Sequence, residues 1–119
     1  MSVRTIVIAD DEPHVLALLR AALRGHELVE ASTGAEALAA IVEHAPAIAI
    51  LDAHMPELDG YEVTRRVRAA AGAQPHILML TAAGRETDRT TAEEAGVDEF
   101  LTKPFSPSAL RVRIAELLA

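Results

Sequence analysis

The sequence has no cysteine and no tryptophan, and only two phenylalanines and one tyrosine. Without cysteine there can be no disulfide and no thiolate metal site. Aromatics make up 3% of the chain while hydrophobic residues make up 50%, so a core has to be built from Ala, Leu, Ile and Val. Positive charge is also scarce, with 11 Lys and Arg against 18 Asp and Glu and a formal charge of −7. That balance argues against direct binding to nucleic acid or to an anionic membrane, since both need clustered cations. No apolar run approaches the ~20 residues of a membrane span. Met1-Ser2-Val3-Arg4 leads straight into a strand pattern, without the apolar stretch and cleavage signal of a secretion peptide. The expectation is one soluble, cytoplasmic domain over residues 1–119, either free-standing or part of a longer protein.

Strand-like and helix-like patterns alternate five times, which predicts an α/β fold with a mainly parallel sheet and helices on both faces. The apolar runs are Thr5-Ile6-Val7-Ile8-Ala9, Ala47-Ile48-Ala49-Ile50-Leu51, His76-Ile77-Leu78-Met79-Leu80 and Glu99-Phe100-Leu101-Thr102, with a shorter edge strand over His26 to Ala31. Between them, Val15, Leu18, Leu19, Ala22 and Leu23 follow the spacing of an amphipathic helix begun by Pro13. Thr33 and Glu36 form a capping box for a helix to about His44. A third helix runs from Gly60 to about Ala71, with Val63 and Val67 inward and Arg65, Arg66 and Arg68 outward. The fifth begins near Pro107 and buries Leu110, Ile114, Leu117 and Leu118. The fourth, roughly Glu86 to Ala95, offers little apolar surface beyond Ala92 and Ala95. It reads either as a weakly anchored, movable element or as an ordinary exposed helix.

If the runs are parallel strands, Asp10, Asp11, Asp52, Thr81 and Lys103 all fall at one carboxyl edge, where open α/β sheets bind ligands. Two carboxylates about 4 Å apart repel by roughly 4 kcal/mol at an effective dielectric near 20. Three at one edge therefore need a cation or must hold protons. Hard oxygen donors with room for water favour Mg²⁺. A helix cap accounts for Asp11 or Glu12 singly but not for the trio. Asp52 has the chemistry to take a phosphoryl group as an acyl phosphate, with a cation shielding the two anions from each other. Lys103 could meet the transferred oxygens; it is the only lysine beside ten arginines. Taken alone, Lys103 reads as a solvated surface residue and Thr81 as a β-branched strand end. The five histidines show no metal-binding spacing, and no phosphate-binding glycine loop is present, so no nucleotide cofactor is expected.

Ile8-Ala9-Asp10-Asp11-Glu12, Leu51-Asp52-Ala53-His54-Met55-Pro56-Glu57-Leu58-Asp59-Gly60, Leu80-Thr81-Ala82 and Leu101-Thr102-Lys103-Pro104-Phe105 together resemble the receiver domain of two-component response regulators, over essentially the whole chain. The resemblance implies a single flavodoxin-like doubly wound (βα)5 domain with strand order 2-1-3-4-5. It implies that Asp52 accepts a phosphoryl group from a sensor histidine kinase or phosphotransfer protein. Asp11 and Asp52 would hold Mg²⁺ directly, Asp10 largely through water, and His54 through its main-chain carbonyl. Lys103 would pair with the phosphoryl group, Thr81 would move to hydrogen-bond it, and Phe100 would turn inward as the switch aromatic; the plain reading of Phe100 is a core aromatic. The Lys103-Pro104 peptide would be cis. Such a domain is a phosphoacceptor that assists its own phosphorylation and dephosphorylation rather than an enzyme. Its output would be a changed α4-β5-α5 face, read by a downstream output domain or protein. The resemblance also offers a homodimer through that face, which Asp98 and Arg113 fit and Ala109 does not. His54 and Ala83 stand where relatives tune dephosphorylation. The alternative is a receiver-like interaction module that works without phosphorylation, and such modules usually lose an acidic or Lys position kept here.

Overall fold

The computed structural model describes residues 4–72, 74–82 and 86–119, with the side chains of residues 86–89 and 92 left out. The chain alternates β1 (Ile6–Ala9), α1 (Pro13–Ala22), β2 (Leu28–Ala31), α2 (Gly34–His44), β3 (Ile48–Asp52), α3 (Gly60–Ala69), β4 (His76–Ala82), α4 (Glu86–Ala95), β5 (Glu99–Lys103) and α5 (Pro107–Leu118). All neighbours pair in parallel, in the order β2-β1-β3-β4-β5. The expected topology is the observed one.

The period of two along the strands sends alternate side chains to opposite faces, and both faces are covered. Val7, Ala9, Ala49, Leu51, Ile77 and Met79 pack towards Ala37, Ala40 and Ile41 of α2 and Val63 and Val67 of α3. Ile6, Ile8, Ile48, Ile50, Leu78 and Leu80 pack towards Val15, Leu16 and Leu19 of α1 and Leu110, Ile114 and Leu118 of α5. Burying a large aliphatic side chain contributes about 1.5–3 kcal/mol, so these two layers hold the sheet rigid under its carboxyl edge. Two expectations about helix faces need correction. Leu18 is 42% exposed, and Leu16 takes the core position instead; α1 is apolar on more than one side, so spacing alone misjudges its buried stripe. Arg68 does not point outward. Its guanidinium reaches from α3 to the Gly96 carbonyl at 2.9 Å, the Pro75 carbonyl at 2.9 Å and Asp98 at 2.6 Å.

Half of the expected capping box forms at α2, and its return bond falls one residue early, on Ser32 rather than Thr33. Glu36 N–H donates to Thr33 Oγ1 at 3.1 Å, while the Glu36 carboxylate accepts from Ser32 N–H at 2.9 Å. Its first residue, Gly34, packs against the loop that follows β3. A Cβ built there would stand 1.8 Å from the Leu58 carbonyl oxygen and 2.5 Å from its carbon. Both are main-chain atoms and cannot swing aside. Gly34→Ala is therefore expected to cost about 3 kcal/mol or more, above the usual range for overpacking. Chemical denaturation checks this; a loss within about 0.5 kcal/mol would contradict the contact.

Candidate functional site

Topology explains why the acidic residues meet. The chain leaves β1 to build β2 on one side and returns to build β3 on the other, which opens a crevice at the carboxyl ends of β1 and β3. Ala9 pairs with Leu51, so Asp10 and Asp52 emerge level with each other. Ala82 of β4 pairs with Lys103 of β5, two positions beyond Leu80, the partner of Asp52. The lysine stem then reaches back over the edge. Across from it, Gly60 lets α3 begin directly on the end of β3: its N–H donates to the Ala53 carbonyl at 2.9 Å, and a Cβ there would lie 2.3 Å from the Asp52 carbonyl oxygen.

Lys103 Nζ lies 2.8 Å from Asp10 Oδ2, 3.2 Å from Asp52 Oδ1 and 3.2 Å from Glu12 Oε1. Asp10 is fully buried, the Asp52 side chain is 8% exposed and that of Glu12 48%. Asp10 Oδ1 accepts from Glu12 N–H at 2.9 Å. Asp10 Oδ2, although close to the ammonium, lacks an aligned hydrogen bond. Burial, reinforced by the charge of Asp10, pushes the Asp52 carboxyl up to about 6 despite Lys103 and the His54 N–H. Burial pulls the Lys103 ammonium down, but its bonds and charge contacts with Asp10 and Asp52 outweigh this and leave it raised. Lys103 is charged throughout the neutral range.

Asp10, Asp11, Glu12 and Asp52 each offer a carboxylate oxygen, and these lie within 4.8 Å of one another. An open cleft of about 320 Å³ is lined by Asp11, Glu12, Asp52, His54, Ala82 and Lys103. Among the described residues, four carboxylates against one ammonium leave an excess of negative charge facing water. A buried oxygen without an aligned donor, beside all-oxygen hard ligands, fits a divalent cation.

The structure thus brings together Asp10, Asp11, Asp52, His54 and Lys103. Thr81 is buried one residue past Leu80 and is not among the residues lining the cleft. Its strand runs one residue further than expected, to Ala82. Phe100 is half-buried against the Met79 side of the core. The His54 ring stands edge-on to Tyr61 at 6.1 Å. Ala83 lies outside the described residues. The Lys103–Pro104 peptide is cis. From the sequence alone Glu12 is a candidate cap for α1. It does stand at the N-cap of α1, but its side chain makes no capping bond. It faces Lys103 instead, 91 positions away in sequence. Asp98 and Arg113 hold partners within the chain: Asp98 bonds Arg68 and the Ile77 N–H, and Arg113 bonds Glu99.

Comparison with known proteins gives the family and the fold. A family model described as the response regulator receiver domain matches residues 6–115. Transcriptional regulatory protein SrrA of Staphylococcus aureus is 40% identical over 115 residues, which cover 95% of this chain and 47% of SrrA. Alkaline phosphatase synthesis transcriptional regulatory protein PhoP of Bacillus subtilis is 38% identical over 117 residues, covering 97% of this chain and 48% of PhoP. The chain thus spans about half the length of these curated relatives. Among solved structures, a CheY-like response regulator receiver domain protein from Methanospirillum hungatei is 28% identical with a TM-score of 0.86, covering 98% of this chain and 94% of the other. Among the described residues no helix is long and apolar enough to cross a membrane.

Proposed function

This chain belongs to the response regulator receiver domain family, and from that membership we propose that it is the phosphoacceptor switch of a two-component phosphorelay, with Asp52 as acceptor. The observation that carries this reading is that Asp10, just past β1, and Asp52, the last residue of β3, lie 2.8 and 3.2 Å from the ammonium nitrogen of Lys103, the last residue of β5.

An Asp52 carboxylate oxygen attacks the phosphorus of a phosphohistidine on a sensor kinase or phosphotransfer protein. The O–P bond forms, the P–N bond breaks, and the electron pair leaves with the imidazole. Asp11 and Asp52 directly, Asp10 largely through water, and the His54 carbonyl would hold Mg²⁺, whose charge shields the acceptor from the incoming anion. Burial makes the Asp52 carboxylate more basic than an exposed one and hence a better nucleophile once ionised. Lys103 needs only a small shift of its stem to follow charge from the carboxylate onto the phosphoryl oxygens. Thr81 then donates its hydroxyl to a phosphoryl oxygen, and Phe100 turns inward behind it.

The output is altered binding on the face of α4, β5 and α5, read by a downstream output domain or protein, with the domain acting in the cytoplasm. A homodimer through this face requires Asp98 and Arg113 to exchange their present partners, Arg68 and Glu99. Incubation with acetyl phosphate and Mg²⁺, followed by intact mass and peptide mapping, tests the proposal. A single phosphoryl adduct on Asp52 is expected, lost when a chelator removes Mg²⁺. No adduct, or one indifferent to the chelator, would end this reading.

A further inference from the structure

An ammonium has three N–H donors, and three carboxylates already surround that of Lys103. Resting on the phosphoacceptor reading above, we propose that Glu12 is a positioning residue that parks Lys103 in the unphosphorylated protein and releases it when Asp52 is phosphorylated.

The argument is one of supply. An acyl phosphate on Asp52 adds close to two negative charges and three strong acceptor oxygens. For Nζ to turn to them, it has to give up a carboxylate that it now hydrogen-bonds, Asp52 or Glu12, or its close ion pair with Asp10. Asp10 cannot yield, because it is fully buried and its other oxygen is fixed by the Glu12 N–H at 2.9 Å. Asp52 carries the new group. Glu12 is the remaining arm, and its half-exposed carboxylate can pass from the ammonium to water with little loss. The far oxygen of Glu12 is 3.7 Å from the exposed His14 imidazole, so among the described residues its neighbour there is a solvated one. Glu12 also repels the arriving phosphoryl group. Competition for Lys103 and repulsion of the anion act in the same direction, and both slow phosphorylation while Glu12 stays where it is.

Glu12 is suited to this part by what it does not do. Its side chain makes no capping bond to α1, so Glu12→Gln removes the charge without removing a helix cap. The competing role is that of a fourth metal ligand, since its carboxylate lies within 4.8 Å of the other three. The two roles predict opposite effects, because loss of a ligand weakens Mg²⁺ binding and slows phosphorylation.

Lys103 is the only lysine in the chain, so ¹³Cε-lysine labelling gives a single side-chain signal by which to follow it. Wild type and Glu12→Gln would be compared free and with Mg²⁺ plus beryllofluoride, a mimic of the acyl phosphate. The expected result is a lysine signal that differs between the two proteins when free and coincides once beryllofluoride is bound. Phosphorylation by acetyl phosphate at saturating Mg²⁺ should be about fivefold faster in the variant, with Mg²⁺ affinity, read from stability titration, lowered only slightly by the loss of one nearby charge. Signals that differ equally in both states would mean that Glu12 never lets go, and signals identical in the free state would mean that it never holds. Slower phosphorylation with weaker Mg²⁺ binding would make Glu12 a metal ligand. Each of these overturns the inference while the phosphoacceptor reading stands. A wild type that takes up no beryllofluoride would remove that reading and this inference with it.

Discussion

Replacing Asp52 by Asn should abolish the phosphoryl adduct and at the same time make the protein more stable. The first effect follows from chemistry, because a carboxamide is not a nucleophile towards phosphorus and offers no anionic ligand. The second follows from burial. The Asp52 carboxyl is raised from 3.8 to about 6 by desolvation and by Asp10, so its ionised form is a strained occupant of the folded state. Between those two values the native protein holds a proton that the unfolded chain has lost. The group's contribution to stability is then complete below about 3.8 and disappears as pH rises through about 6. Asn has no such group, and its amide oxygen can still accept from Lys103. The advantage of Asp52→Asn is expected to be about 1 kcal/mol at pH 7, discounted for water in the open cleft, and to shrink to nothing near pH 4. Denaturant unfolding of both proteins across this range checks it. A variant less stable than wild type at pH 7 would show that the carboxylate is not under repulsion.

Lys103→Ala should act in the opposite sense on stability. It leaves Asp10 and Asp52 facing each other without their cation, and Asp10 is fully buried. Removing one partner of a fully buried pair costs 3–5 kcal/mol. Lys103 is 21% exposed and its partners border an open cleft, so about 2 kcal/mol is the reasonable expectation in the absence of divalent cations. Mg²⁺ should recover much of that loss, because it replaces the missing charge and binds more tightly where the ammonium no longer competes. Phosphorylation by acetyl phosphate should slow about a hundredfold, the scale for losing one preorganised donor to developing charge. Lys103→Arg should rescue the stability better than the rate, since a planar guanidinium cannot follow the charge as a compact ammonium does. Equal stability of wild type and Lys103→Ala without metal would contradict the ion cluster.

Much of this was legible because it is periodic or terminal. The strands announce themselves as short apolar runs, and parallel pairing then forces Asp10, Asp52 and Lys103 to one edge whatever the details of packing. Pro13, Pro107 and the Thr33–Glu36 box mark helix starts that the structure keeps. What stayed hidden has no period. The bond between Glu12 and Lys103 joins residues 91 apart. Arg68 looked like one of three outward arginines until the chain from Gly96 to Asp98 came within its reach. His76 bonds Glu99 at 2.8 Å, and Glu99 also serves Arg113. Such long-range polar pairs depend on side-chain rotamers above a finished backbone, and no local pattern encodes them. Leu18 failed for a related reason: a helix apolar on several sides leaves its buried stripe to be chosen by neighbours.

The placement of Lys103 on β5 has a consequence for how the domain comes together. Asp10 and Asp52 become neighbours as soon as β1 and β3 pair, yet their counter-charge belongs to a strand that joins the sheet only through β4. A half-assembled sheet of β2, β1 and β3 therefore carries an uncompensated anionic rim that works against its persistence. Docking of β5 brings Lys103 to Asp10 and Asp52 and relieves it, so the ion cluster favours the completed sheet.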